Sequence, residues 1–494
     1  MDSSDERTEF GPVAIHGTAW RYVSYFSGKF LVFLSTIVLA RLLAKDDFGV
    51  VGYALTTIAF LDVASDLGVA EAVVYYKEDR QIYSTAFWIS LSIGIALFGL
   101  SWVLAPLLAI YFRDDRVIEV NRVMALTFPF AALGNTHEAI LRKNFAFGRT
   151  TIPIFLRALA KGLTSIILAF MGLGVWSLVW GQLCGTLISS LAFWIITPWR
   201  PAFEFDPGRA RSLMSYGIKN IGTDFLSMIL LNLDYWLVGR YLGATALGVY
   251  TLSYRLPELL ILQFARIISQ VIFPIYSKMR EIPGSLARGF AKTTAYVSLL
   301  TVPLGLGLSL LAHPFTLVFL TAKWAEAIPV IQAIALYAMF LSLIHNTSSA
   351  YKAQGNFRVM IWLGLTRLML LFPALWWAVA LKGSIVAVGQ MHALIALVGA
   401  SIGLIVAARM LDLRLSELFA SIWPSSLAGI IMAGAILVIL NLTNTQSPLT
   451  QLIFAVPSGI LVYGIVLWFV SRHTVLDVIQ SLLSAISRRQ PKMI

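Results

Sequence analysis

Apolar residues in this chain come in long unbroken runs. They do not alternate as in a half-buried strand. The runs last roughly 20 to 30 residues and are parted by short polar segments, and a helix of that length crosses the ~30 Å hydrocarbon core of a bilayer. Helices are expected at roughly 14–42, 47–76, 81–112, 118–142, 150–171, 174–198, 212–243, 246–279, 286–313, 324–352, 357–381, 384–409, 416–442 and 449–471. The expected fold class is an all-α integral membrane protein with about fourteen transmembrane helices. The dyad pattern of a membrane β-barrel is missing.

One phrase at the turns between these runs occurs twice. Ala40-Arg41-Leu42-Leu43-Ala44-Lys45-Asp46-Asp47-Phe48-Gly49-Val50 returns as Gly239-Arg240-Tyr241-Leu242-Gly243-Ala244-Thr245-Ala246-Leu247-Gly248-Val249. A second, looser echo links Leu173-Gly174-Val175-Trp176 through Gln182 with Lys382-Gly383-Ser384-Ile385 through Gln390. An even number of helices separates the copies, so the repeats are parallel, about an axis along the membrane normal. The expected organisation is an N-terminal six-helix lobe at 1–200, a linker at 201–211, and a C-terminal six-helix lobe at 212–410. An extra helix pair and a tail follow at 411–494. Duplicated helical halves in a membrane protein point to a transporter, with substrate held between them.

Composition agrees: 58% of residues are hydrophobic and 13% are charged, with mean hydropathy +0.80. A soluble domain could not hide that much apolar surface. The net charge of +12 would suggest nucleic acid in a soluble protein. Here the cations fall in alternate loops, among them Arg142, Lys143 and Arg149, then Arg200, Arg209 and Arg211, then Lys278, Arg280 and Arg288, then Arg409 and Arg414. The positive-inside rule accounts for this and places both termini in the cytoplasm, with no nucleic-acid partner. The acidic start, Met1 to Glu6, lacks the features of a cleaved signal peptide. A lone Cys184 excludes a disulfide within the chain.

Ionisable groups inside apolar helices are the candidate chemistry, because each must face a cavity, pair or snorkel. The first expected helix carries Arg21 and Lys29, the second Asp62 and Asp66 one turn apart, the seventh Asp224 and Asp234. The eighth carries Arg255, Glu258 and Arg266, with Leu262 on the same stripe and Pro257 beside it. Two arginines on one stripe can clamp phosphate oxygens; the alternative is an internal ion pair with Glu258. The acids either couple an ion or balance the cations. Arg157, Lys161 and Arg367 rank second, as lipid-headgroup ligands or partners of interior acids. His137 and His345 are weaker lining candidates. No catalytic triad, metal-ligand spacing or phosphate loop occurs, so no enzyme, metal or cofactor is expected. The pattern points to a polar passage for an anionic or highly hydroxylated substrate.

The wording of several segments carries a family resemblance. Arg41-Leu42-Leu43 followed by Asp46-Asp47-Phe48-Gly49, Asp66-Leu67-Gly68-Val69-Ala70-Glu71, Leu233-Asp234-Tyr235-Trp236-Leu237-Val238-Gly239-Arg240, Ala246-Leu247-Gly248-Val249-Tyr250 and Phe273-Pro274-Ile275-Tyr276 stand in order along the chain. Together they resemble the Wzx-type, WzxC-like polysaccharide flippases of the multidrug/oligosaccharidyl-lipid/polysaccharide exporter (MOP) superfamily. The resemblance implies a MATE-like pair of lobes and alternating access. It implies that the chain flips an undecaprenyl-diphosphate-linked oligosaccharide across a bacterial inner membrane for exopolysaccharide synthesis. Such flippases line a central cavity with cations, which Arg21, Lys29, Arg255 and Arg266 match in kind. Asp62 and Asp66 depart from that pattern and leave room for H+ or Na+ coupling, with Asp224, Asp234 and Glu258 as further acids. Partners implied are the polyprenyl-diphosphate-linked substrate, membrane lipids, and the polymerase and chain-length or export proteins of the same pathway. The alternative on the same fold is a cation-coupled small-molecule or drug antiporter.

Overall fold

A computed structural model describes residues 28, 30–65, 68–75, 79–144, 146–282, 284–472 and 476. Their regular structure is helical throughout. The helices are α1 (Phe30–Leu42), α2 (Lys45–Asp62), α3 (Val69–Tyr75), α4 (Arg80–Phe112), α5 (Arg116–Met124), α6 (Thr127–Lys143), α7 (Phe147–Phe170) and α8 (Val175–Ile196). There follow α9 (Pro207–Pro257), α10 (Gln263–Met279), α11 (Ser285–Phe315), α12 (Ile328–Ala353), α13 (Phe357–Trp376), α14 (Ile385–Met410), α15 (Leu415–Leu442) and α16 (Pro448–Val470).

Eleven helical stretches among the described residues are long and apolar enough to cross a membrane. One of them, Phe225–Met279, joins the expected seventh and eighth helices. Its two limbs meet at Gly243, whose φ of 82° lies in the left-handed region that glycine enters without steric cost. With those limbs counted separately the described residues hold twelve such stretches; α1 is a shorter apolar helix inside the expected first span, and α2 lies inside the expected second. Large apolar side chains face outward, among them Ile195 at 80% exposed and Phe469 at 83%. Lipid rather than water is the medium that suits such a surface.

By packing, the chain divides into two units. The first holds the residues up to Leu252 with Phe372–Ile385. In it α7 and α8 form a close hairpin, and α6 packs on both α4 and α8. The segment after α8 is fastened to α4: Trp88 Nε1 donates to the Ala202 carbonyl at 2.9 Å, and the Ala202 amide donates to Ser84 Oγ at 3.2 Å.

The twice-used phrase meets itself in this unit. A Cβ on Gly49 would lie 1.8 Å from the Ala244 carbonyl oxygen; one on Gly248 would lie 1.9 Å from the Lys45 carbonyl oxygen. Gly49 corresponds to Gly248 in the repeat, and Lys45 to Ala244. The contact is therefore reciprocal, as a local two-fold relation between the copies requires. Only a residue without a side chain permits backbones to approach so closely.

The copies differ in how their second helix begins. In the first, Asp47 accepts the Ala44 amide at 2.9 Å and so caps α2. Asp46 pairs with Arg116 and accepts a bond from Thr245 Oγ1 at 3.3 Å. In the second copy Gly243 makes the turn and no capping acid is present. Gly239 lies against Tyr53 and Phe112, which stack on each other at 4.3 Å; Phe112 also stacks on Trp236 at 5.4 Å.

The second unit holds Ser253–Leu371 and the residues from Val386 onward. α12 packs between α10 and α11, and α11 also receives α15 and α16. Polar bonds cross the core: Tyr276 donates to Asn346 at 3.1 Å, Asn346 to Thr294 at 2.9 Å, and Tyr351 to the Gly403 carbonyl at 2.5 Å. Tyr463 of α16 donates to the Leu299 carbonyl of α11 at 2.9 Å. Interhelical bonds of this kind hold helices together where no hydrophobic force separates protein from lipid.

Candidate functional site

The second unit brings one group of expected site residues together. Pro257 has no amide hydrogen, and the backbone passes from α9 into a single π turn over Glu258–Leu262 before α10 begins. Single π turns inside α-helices recur at functional sites. Here the wider turn sets Glu258 between two cations. Glu258 lies 4.0 Å from Arg255 and 3.8 Å from Arg266. Those separations exceed hydrogen-bond length, so the attraction is electrostatic and neither guanidinium is locked in a fork. The side chains are 39%, 38% and 29% exposed for Arg255, Arg266 and Glu258. An incoming anion can reach them.

Leu262, expected on the same stripe, is buried. The π turn changes the angular step between 258 and 262 and moves that side chain off the charged face. Gln263 begins α10, is buried, and its Oε1 finds no hydrogen-bond partner among the described residues. The second-ranked Arg367 meets a tyrosine that the sequence reading did not single out. Arg367 Nη2 donates to Tyr337 Oη at 3.3 Å, and Tyr337 also meets Tyr254 edge-on at 5.8 Å and His392 at 4.9 Å. Tyr254 immediately precedes Arg255 and was the available signal.

Of the expected acids in the first unit, Asp62 and Asp234 are the ones whose side chains are described. Asp234 is buried and accepts a bond from Tyr250 Oη at 2.6 Å, across the turn at Gly243. Asp62 is exposed at the end of α2. Arg157 and Lys161 are tied to α8, Arg157 to Thr186 at 3.3 Å and Lys161 to Gln182 at 2.7 Å. His137 is enclosed by aromatic rings, stacked on Trp194 at 4.8 Å and edge-on to Trp199 at 5.1 Å. Arg21, Lys29 and Asp66 lie outside the described residues, as does the side chain of Asp224. Among the described residues no three His, Cys, Asp or Glu side chains converge as metal ligands would.

The family model described as "Polysaccharide biosynthesis protein" matches residues 38–329, which take in the repeated phrase, the π turn and both arginines. The chain belongs to that family. Family relatives include the teichuronic acid biosynthesis protein TuaB of Bacillus subtilis, 26% identical over 411 residues, 82% of this chain and 84% of that protein. The succinoglycan biosynthesis transport protein ExoT of Rhizobium meliloti is 24% identical over 349 residues, 70% of this chain and 71% of ExoT. The lipopolysaccharide biosynthesis protein WzxC of Escherichia coli is 22% identical over 368 residues, 73% of this chain and 74% of WzxC. The fold is similar to that of a solved structure described as the lipid II flippase MurJ, inward closed conformation: TM-score 0.77 at 16% identity, covering 92% of this chain and 99% of that one. An inward-facing MATE family transporter of the MOP superfamily matches with TM-score 0.64 at 16% identity, over 78% of this chain and 94% of its own. The MATE-like fold implied by the sequence resemblance is the fold observed.

Proposed function

We propose that this chain flips a polyprenyl-diphosphate-linked oligosaccharide repeat unit across the bacterial inner membrane for exopolysaccharide synthesis, without catalysing a reaction. The observation that carries the reading is the pair Arg255 and Arg266, set loosely about Glu258 at a π turn in a membrane helix. Two guanidinium groups held by charge alone can turn from one carboxylate to the oxygens of a diphosphate. The names of the family relatives and the flippase fold support the same reading. The drug-antiporter alternative has fold likeness alone, at 16% identity.

In this reading residues 1–200 and 212–410 form the two alternating lobes, joined by 201–211, with 411–494 added outside them. The loop cations support cytoplasmic termini. Arg21 and Lys29 complete the cation set. Asp62, Asp66, Asp224 and Asp234 balance it or couple H+ or Na+. The polymerase and export proteins of the pathway take the product.

The test is export. Arg255→Ala and Arg266→Ala together abolish polymer output while membrane levels of the protein hold, and lipid-linked repeat units accumulate on the cytoplasmic leaflet. Normal output from the double variant overturns the proposal.

A further inference from the structure

A cavity of mixed polar and apolar lining stands apart from the arginine pair in the sequence, on other helices. It has a volume of about 260 Å³, is open on one side, and is lined by the first half of α11, the first half of α15 and the end of α16. Lys292, Tyr296, Glu417 and Ser421 supply its polar wall; Leu299 and Leu467 supply apolar wall. Three of these deserve separate physical weight. Lys292 Nζ lies over the Tyr296 ring, 5.7 Å from its centroid. Tyr296 Oη is buried with no hydrogen-bond partner among the described residues. Glu417 stands in the first turn of α15, so the cavity contains an acid as well as a base. A buried hydroxyl without a partner is costly, and a group that bonds it relieves the cost.

Depth in the membrane narrows the ligand. α11 begins at Ser285, so at 1.5 Å per residue Lys292 lies about 10 Å along its axis and Leu299 about 21 Å. A helix of 31 residues is about 46 Å long, well beyond the ~30 Å hydrocarbon core, so its first turns stand in the headgroup layer. The wall thus runs from charged to apolar over the distance in which a phospholipid does so. The cations of the adjoining chain ends, Arg288, Arg414 and Arg472, mark this as the cation-rich side. Arg472 stacks on Trp468 at 4.9 Å, an aromatic anchor at an interface.

We infer that this cavity binds the headgroup of a zwitterionic phospholipid, phosphoethanolamine. Lys292 takes the phosphate, Glu417 the ammonium, and Tyr296 Oη a phosphate or glycerol oxygen. The acyl chains leave past Leu299 and Leu467 into the bilayer. A purely anionic headgroup gives Glu417 nothing to bind and meets its charge. At about 260 Å³ the space is smaller than the ~300–1,000 Å³ of drug-sized sites, so it suits a headgroup and not an oligosaccharide. The site stands on the membrane reading of the chain, and it holds whether or not the arginine pair carries a diphosphate.

The experiment is native mass spectrometry of the purified full chain after exchange into an equimolar mixture of phosphatidylethanolamine and phosphatidylglycerol. The wild type retains phosphatidylethanolamine several-fold over phosphatidylglycerol, and added inorganic phosphate does not compete at equal concentration. Glu417→Gln lowers phosphatidylethanolamine retention several-fold and removes the preference. Lys292→Met lowers retention of both lipids, and Tyr296→Phe lowers phosphatidylethanolamine retention. Each variant is compared at an unfolding midpoint equal to the wild type's. A variant that misses that mark is replaced by wild type challenged with soluble phosphoethanolamine, which displaces the lipid. Equal retention of the two lipids by the wild type, competition by inorganic phosphate, or an unchanged preference in Glu417→Gln overturns the assignment.

Discussion

Replacing Gly49 by alanine puts a methyl carbon 1.8 Å from the Ala244 carbonyl oxygen and 2.4 Å from its carbon. Ordinary contact starts at 3.4 Å. The two backbones must then part by roughly 1.6 Å, because no side-chain rotamer stands between them to give way. Overpacking of this sort costs about 1–3 kcal/mol. Gly248→Ala does the same from the other side, at 1.9 Å from the Lys45 carbonyl oxygen. If the crossing is reciprocal, the two single variants lose similar stability. The double variant loses little more than either, because the second methyl enters a gap that the first has opened. The coupling is then about as large as one single effect. The assay is the unfolding midpoint of the purified protein in one detergent at one scan rate, for wild type, both singles and the double. Additive losses in the double, or a single variant that melts with the wild type, would refute the reciprocal crossing.

Two further outcomes follow from bonds at helix ends and turns. Asp79 caps α4 by accepting the Gln81 amide at 2.9 Å, and it pairs with Arg209. The Gln81 amide, and then Arg209, hold its carboxyl below the ordinary value of 3.8. A depressed folded value means that the contribution is present above about pH 4 and fades as pH falls through the folded value. Asp79→Asn keeps an acceptor for the cap but loses the charge. Its unfolding midpoint falls below the wild type's near pH ~7, the gap narrows as pH falls below about 4, and a gap that does not narrow in acid refutes this. Tyr250→Phe removes a donor from the buried Asp234 carboxylate and costs about 1.5–3 kcal/mol if that group is charged. Asp234→Asn retains an oxygen acceptor and costs less in the same melt; the reverse order counts against a charged Asp234.

Parts of the site could be read from the sequence because they are local. Arg255, Glu258 and Arg266 are close along one helix, so spacing alone brought them near one another. Spacing did not show the π turn at Glu258–Leu262, which a periodicity of 3.6 cannot anticipate. That turn buried Leu262 and opened the charged face. Arg157 and Lys161 shared a helix face in the sequence, but their partners Thr186 and Gln182 stand on another helix. Likewise Asp234 looked like a lone acid until the turn at Gly243 returned Tyr250 to it. The Tyr296 cavity had no signal at all, since one wall comes from α11 and the others from α15 and α16, far from it in the chain.

The sequence by itself determined which runs are apolar enough to cross a membrane, and it showed the phrase that recurs. Transfer of each apolar run into lipid is a sum of local terms, so hydropathy and loop charge suffice for it. The tertiary structure decided which polar group meets which. In lipid there is no hydrophobic force to choose between helix faces, so backbone approach and interhelical hydrogen bonds do the choosing. Gly49 and Gly248 show both halves of that division. Their recurrence was visible in the letters, while the carbonyl that each one admits was visible only in the folded chain.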